Sequence, residues 1–99
     1  MLVVHCKKAK YDVYIGRGRC PKTGKSSPWG NPFVLGVDGD REEVLIKYEN
    51  WLRNNQVLLR RLHELDGQTL GCWCKPKFSC HGDILIKIRK EQIRTTQIM

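Results

Sequence analysis

Two helical apolar stripes stand between short β-like segments, and that order leaves a chain of 99 residues few folds to adopt. Asp40, with Glu43 three residues on, has the form of a capping box ahead of Val44, Leu45, Tyr48, Trp51 and Leu52, which recur on one helical face. Asn54-Asn55 interrupts the pattern. Leu58, Leu59, Leu62 and Leu65 resume it as far as Asp66-Gly67, a helix-to-strand punctuation. Before these stripes, Leu2-Val3-Val4-His5-Cys6 and Asp12-Val13-Tyr14-Ile15-Gly16 are short, apolar and β-branched; after them, Gln68 to Cys74 reads as a buried strand. Helices between the second and third strands allow those two to be parallel neighbours through a right-handed crossover. The link of about five residues between the first two strands permits a hairpin. Ile84, Leu85 and Ile88 indicate a last helix from about Cys80 to Ile93.

The expected product is one small α/β domain over residues 1–93, a three-stranded mixed or parallel sheet flanked by about three helices, with residues 94–99 a frayed tail. A 40% apolar content supports a single core despite 28% charged residues. Apolar runs are too short to span a membrane, and Met-Leu-Val-Val-His-Cys lacks a signal-peptide pattern, so a cytosolic protein is expected. In that reducing compartment the five cysteines should be thiols, metal ligands or nucleophiles rather than a disulfide frame. The net charge of +8 is uneven: residues 1–36 hold seven Lys and Arg against Asp12 alone, a balance of +6. Such asymmetry favours an anionic partner, a phosphorylated small molecule or a nucleic-acid backbone.

Chemistry concentrates in Gly71-Cys72-Trp73-Cys74-Lys75-Pro76-Lys77-Phe78-Ser79-Cys80-His81-Gly82-Asp83, between the third strand and the last helix. Cys72 and Cys74 share one face of a strand and Trp73 takes the other; a buried Cys72 is also read as a small hydrophobe. Cys80, at the start of the last helix, sits in a field that favours thiolate and is the candidate nucleophile, with His81 as acid-base group. Asp83 falls in the first helical turn, where the dipole favours a carboxylate with or without a ligand. No cofactor is expected. If zinc is bound, its ligands are Cys72, Cys74, Cys80 and His81, whose gaps of one, five and no residues depart from the roughly two to four usual between paired ligands.

Upstream, Gly16-Arg17-Gly18 lets backbone amides approach an anion while the Arg17 guanidinium forks onto phosphate or carboxylate; it is also a sharp turn at a strand end. Trp29-Gly30-Asn31-Pro32-Phe33 offers Trp29 and Asn31 to a planar group, or plugs the long loop of residues 16–39 into the core. His5 is read as structural. Ligands in open α/β sheets lie outside the carboxyl ends of the strands, so the arginine turn and the Cys-His corner should meet at one edge.

Tyr11-Asp12-Val13-Tyr14-Ile15-Gly16-Arg17-Gly18, Trp29-Gly30-Asn31-Pro32-Phe33, Leu70-Gly71-Cys72-Trp73-Cys74-Lys75-Pro76 and Cys80-His81-Gly82-Asp83, in that order, resemble the domain-of-unknown-function family numbered 4326, met in bacteria and their phages. The resemblance spans about residues 1–90 and implies a fold and a site; a phage origin would place the protein in the bacterial host cytosol. Three functions follow as expectations. The first is binding of a nucleotide-like or phosphorylated anion by Gly16, Arg17, Gly18, Trp29, Asn31, Cys74 and Asp83. The second is nucleotide or glycosyl transfer through Cys80 and His81. The third is a nucleic-acid-binding accessory role driven by Lys7, Lys8, Lys10, Arg19, Lys22 and Lys25. No membrane partner is expected, and a homo-oligomer that buries the aromatic loop is a further expectation.

Overall fold

The β-branched opening forms β1 (Leu2–His5), and a shorter β2 follows at Val13–Tyr14. The computed structural model describes residues 1–16, 18–20, 23–73 and 81–98, with side chains of the last helix described through residue 95. After the long loop come α1 (Arg41–Arg53) and α2 (Gln56–Arg61), a 3-10 turn at Leu62–Leu65, β3 (Thr69–Cys72) and α3 (His81–Ile98). The sheet order is β1-β3-β2, and both outer strands run parallel to β3. The parallel pairing of β2 with β3 is the one that the intervening helices allow.

The hairpin that the short link between β1 and β2 permits does not form. Both strands instead pair with β3, Val4 opposite Gly71 on one side and Tyr14 opposite Gly71 on the other. Residues 6–12 therefore have to carry the chain back and across β3. Their path is close to the sheet: a Cβ at position 71 would lie 2.6 Å from Tyr11 Cγ. A glycine at the middle of the central strand is what admits the tyrosine ring. Asp12 fixes the end of this crossover by donating its backbone N–H to Thr69 O at 2.8 Å and accepting the Thr69 N–H on Oδ2 at 2.8 Å.

The expected capping box is present: Asp40 Oδ1 accepts from Glu43 N at 2.9 Å, and Glu43 Oε1 from Asp40 N at 3.2 Å. The break at Asn54-Asn55 is a handover between helices, since Asn54 closes α1 and the Asn55 side chain accepts from Leu58 N to start α2. Tyr48, Leu52, Leu58, Leu62 and Leu65 bury their side chains against Ile15 and Leu70 of the sheet and Leu85 and Ile88 of α3. At the surface, Arg53 joins Glu49 to Glu91, and Arg89 grips both oxygens of Asp66. These guanidinium contacts hold the Asp66 and Glu91 carboxyls below their ordinary range. The helix α3 starts one residue after Cys80 and continues five residues past the expected end at Ile93. Among the described residues no helix is long and apolar enough to cross a membrane.

Candidate functional site

Because all three strands are parallel, their carboxyl ends share one edge: His5 on β1, Tyr14 with Ile15 and Gly16 beyond β2, and Cys72 with Trp73 beyond β3. The start of α3 lies against that edge. His81 is buried, and its Nε2 is 2.5 Å from the Ile15 carbonyl oxygen. A carbonyl only accepts, so Nε2 carries the proton in this bond. The imidazole also meets Tyr48 edge-on, with centroids 5.0 Å apart. Gly82 brings the helix close: a Cβ there would lie 2.8 Å from both Ile15 Cδ1 and Val3 Cγ2. The amide end of an 18-residue helix thus meets the strand ends, where its dipole favours negative charge.

The structure brings Gly16 and His81 to the same edge through their common neighbour Ile15. Gly16 is buried, and a Cβ there would strike the Tyr14 phenol. Gly18 is exposed with φ +74°, and Asp83 is exposed in the first turn of α3. Arg17, Cys74 and Cys80 lie outside the described residues, so the structure places only the flanking Gly16 and His81 on this edge.

Trp29 and Asn31 both anchor the long loop. Trp29 is 2% exposed in the main core, and its carbonyl accepts from Tyr48 Oη at 2.8 Å. Its ring therefore serves as the plug of the long loop, with no open face for a planar group. Asn31 Oδ1 accepts from Phe33 N at 2.9 Å, shaping the turn that follows. Cys72 is fully buried in the core. Among the described residues no group of three His, Cys, Asp or Glu is placed to hold a metal; Cys74 and Cys80 of the zinc set fall outside those residues.

Sequence reasoning missed a polar aromatic cluster on this edge. Trp73 is 47% exposed and donates its indole N–H to Tyr14 Oη at 2.6 Å. His5 stands edge-on to Trp73 at 5.8 Å between centroids and accepts the Lys7 backbone N–H on Nδ1. Lys7 Nζ lies 5.7 Å from the Trp73 ring centroid. Beneath it, Tyr11 Oη and Cys20 Sγ are 3.1 Å apart. That hydrogen bond, together with burial, pushes the Tyr11 phenol up to about 12. Burial, reinforced by Cys72, also raises the Cys6 thiol, which keeps it protonated. Ultraviolet titration should show one tyrosine ionising near pH 12, and Cys20→Ala should return it toward about 10; an unchanged curve would remove the Tyr11–Cys20 bond from the account. Strand alternation gave the face of Trp73, but no local signal pairs it with a tyrosine 59 positions away.

A family model for a domain of unknown function, DUF4326, matches residues 4–91. The chain belongs to the DUF4326 family. That match includes the buried histidine, the glycine under Tyr11 and the Trp73 cluster. The DUF4326 chain is also 34% identical over 91 residues to a protein of Enterobacteria phage T4 described as an uncharacterized 12.4 kDa protein in the nrdA-td intergenic region, covering 87% of this chain and 74% of the phage protein. No solved structure matches.

Proposed function

We propose that the protein binds a nucleotide-like or phosphorylated anion at the carboxyl edge of its parallel sheet. The observation that carries this reading is the junction of Ile15 with His81, which sets the amide end of α3 beside Ile15 and the adjoining Gly16. Parallel α/β sheets take ligands at such an edge, and the amides at the start of a helix suit a phosphate. The surplus of positive charge in residues 1–36 would draw an anion toward it. Arg17 is the side chain assigned to grip the anion, through two parallel hydrogen bonds.

The test is calorimetric titration with nucleoside monophosphates and with ribose 5-phosphate. Saturable binding is expected, weakened roughly 10- to 100-fold by Arg17→Ala, the usual worth of a charge-assisted pair. Absence of binding, or binding indifferent to Arg17, sinks the proposal. If affinity instead grows with nucleic-acid length and drops steeply with salt, a backbone-binding role driven by the lysines replaces it.

A second reading is favoured by the His81 tautomer. A histidine whose Nε2–H is held by a backbone carbonyl has its ring fixed in orientation, as an acid-base group requires. In that reading Cys80 is the nucleophile in nucleotide or glycosyl transfer. Cys80→Ser should then keep ligand affinity and lose turnover of a nucleotide or nucleoside substrate, whereas the binding reading expects no turnover in either protein.

A further inference from the structure

We infer that Trp73 is a stacking platform for a nucleobase. This rests on the proposed anion site and specifies its ligand as a nucleotide, either free or within a single strand. The indole of Trp73 is 47% exposed, a planar surface open to a stacked ring. This ring is also held still. Its N–H is committed to Tyr14 Oη at 2.6 Å, His5 stands edge-on to it at 83°, and the Tyr14 phenol is itself buried beside Gly16. A flat aromatic surface fixed before the ligand arrives loses little entropy on stacking.

The charge around the ring selects the partner. Lys7 Nζ is 5.7 Å from the ring centroid, and Lys7 and Lys8 are exposed in the turn that leaves β1, tied back by the Lys8 N–H to His5 O at 3.0 Å. An aromatic platform beside ammonium groups is complementary to a base that carries its phosphate a few ångströms away. Trp73 follows β3 directly, while Ile15, Gly16 and His81 gather at the neighbouring strand end. Trp73 lies on the sheet face of Tyr14 and the start of α3 on the face of Ile15, so one nucleotide would lay its base on Trp73 and reach over the strand ends with its phosphate. The planar contact that the sequence assigns to Trp29 passes to Trp73, since Trp29 is sealed in the core.

The experiment compares four probes, a nucleoside, a nucleoside monophosphate, ribose 5-phosphate and a short single-stranded oligonucleotide, on the full-length protein and on Trp73→Ala and Trp73→Phe. Affinity is measured by calorimetry and stacking by tryptophan fluorescence. The nucleotide should quench emission in the wild type and not in Trp73→Phe, because Trp29 is sealed in the core and Trp51 is packed against it on α1, away from the strand ends. Trp73→Ala should weaken nucleotide binding roughly 5- to 100-fold and leave ribose 5-phosphate unchanged, with Trp73→Phe in between. Circular dichroism and the thermal midpoint establish that each variant is folded; should Trp73→Ala unfold, Trp73→Phe and wild-type quenching decide the matter. If ribose 5-phosphate binds as tightly as the nucleotide and wild-type emission is not quenched, the platform is wrong and the anion site stands. If the nucleoside binds as tightly as the nucleotide through Trp73, the platform stands and the anion site is wrong. Binding of no probe overturns both. Affinity that climbs with oligonucleotide length and falls with salt identifies a single strand as the source of the base; affinity complete at one nucleotide identifies the free nucleotide.

Discussion

Gly71→Ala is expected to cost about 3 kcal/mol of stability in urea unfolding, at the upper end for overpacking a tight site. The added Cβ would lie between 2.6 and 2.9 Å from three carbons of the Tyr11 ring, including the one bonded to its own Cβ, so rotation of the ring alone gives no escape. Either the crossover of residues 6–12 lifts from the sheet or β3 bends away from both of its neighbours. For a domain of this size the total stability is about 5 to 15 kcal/mol, so one methyl group removes a large share of it. The cause is specific to one pair. In a Tyr11→Ala background the same glycine change should cost at least about 1 kcal/mol less, and strictly additive losses would show that the crossover does not rest on position 71.

His81→Ala should be the second most damaging change, at about 3 kcal/mol. It withdraws the hydrogen that the Ile15 carbonyl accepts in a buried setting, worth about 1 to 3 kcal/mol, and removes the ring packed edge-on against Tyr48. His81→Phe keeps an aromatic ring there and deletes only the donor, so it should recover part of the loss. Urea unfolding of the two variants separates the contributions; equal losses would mean that the ring's packing contributes nothing. Because the bond ties the start of α3 to the end of β2, both variants should also loosen the site in hydrogen exchange at Ile15 and Gly16. Protection there that matches the wild type would show that the histidine does not position the strand end.

The elements readable along the chain are those set by local chemistry. Asp40 and Glu43 satisfy each other's backbone donors wherever they occur at that spacing, and Asn54-Asn55 ends one helix and begins another by the same means. The parallel pairing of β2 with β3 was also legible as an option, because helices between two strands allow a parallel crossover. The hairpin failed for the opposite reason. Two apolar strands separated by a short link carry no mark of whether they pair with each other or with a third strand nearly sixty residues away. Only Gly71 hinted at the outcome, and a lone strand glycine has several readings.

The candidate site divides along the same line. Composition and motif order marked the Gly16 turn and the Cys80-His81 corner as chemical, and parallel topology gave the edge on which their flanking residues meet. Pattern alone could not tell which tryptophan is sealed and which is open. Trp29 sits in a loop rich in glycine and proline yet is pulled into the core by Tyr48, whereas Trp73 closes a buried strand yet stays half exposed. The sequence by itself determined the helices, their caps, the central strand and the basic first third, since each depends on neighbours within a few residues. The tertiary structure alone decided the strand order, the Tyr11–Gly71 contact, the Ile15–His81 bond and the exposure of Trp73, because each joins groups dozens of residues apart, and only the packed chain brings such groups within reach of hydrogen bonds and van der Waals forces.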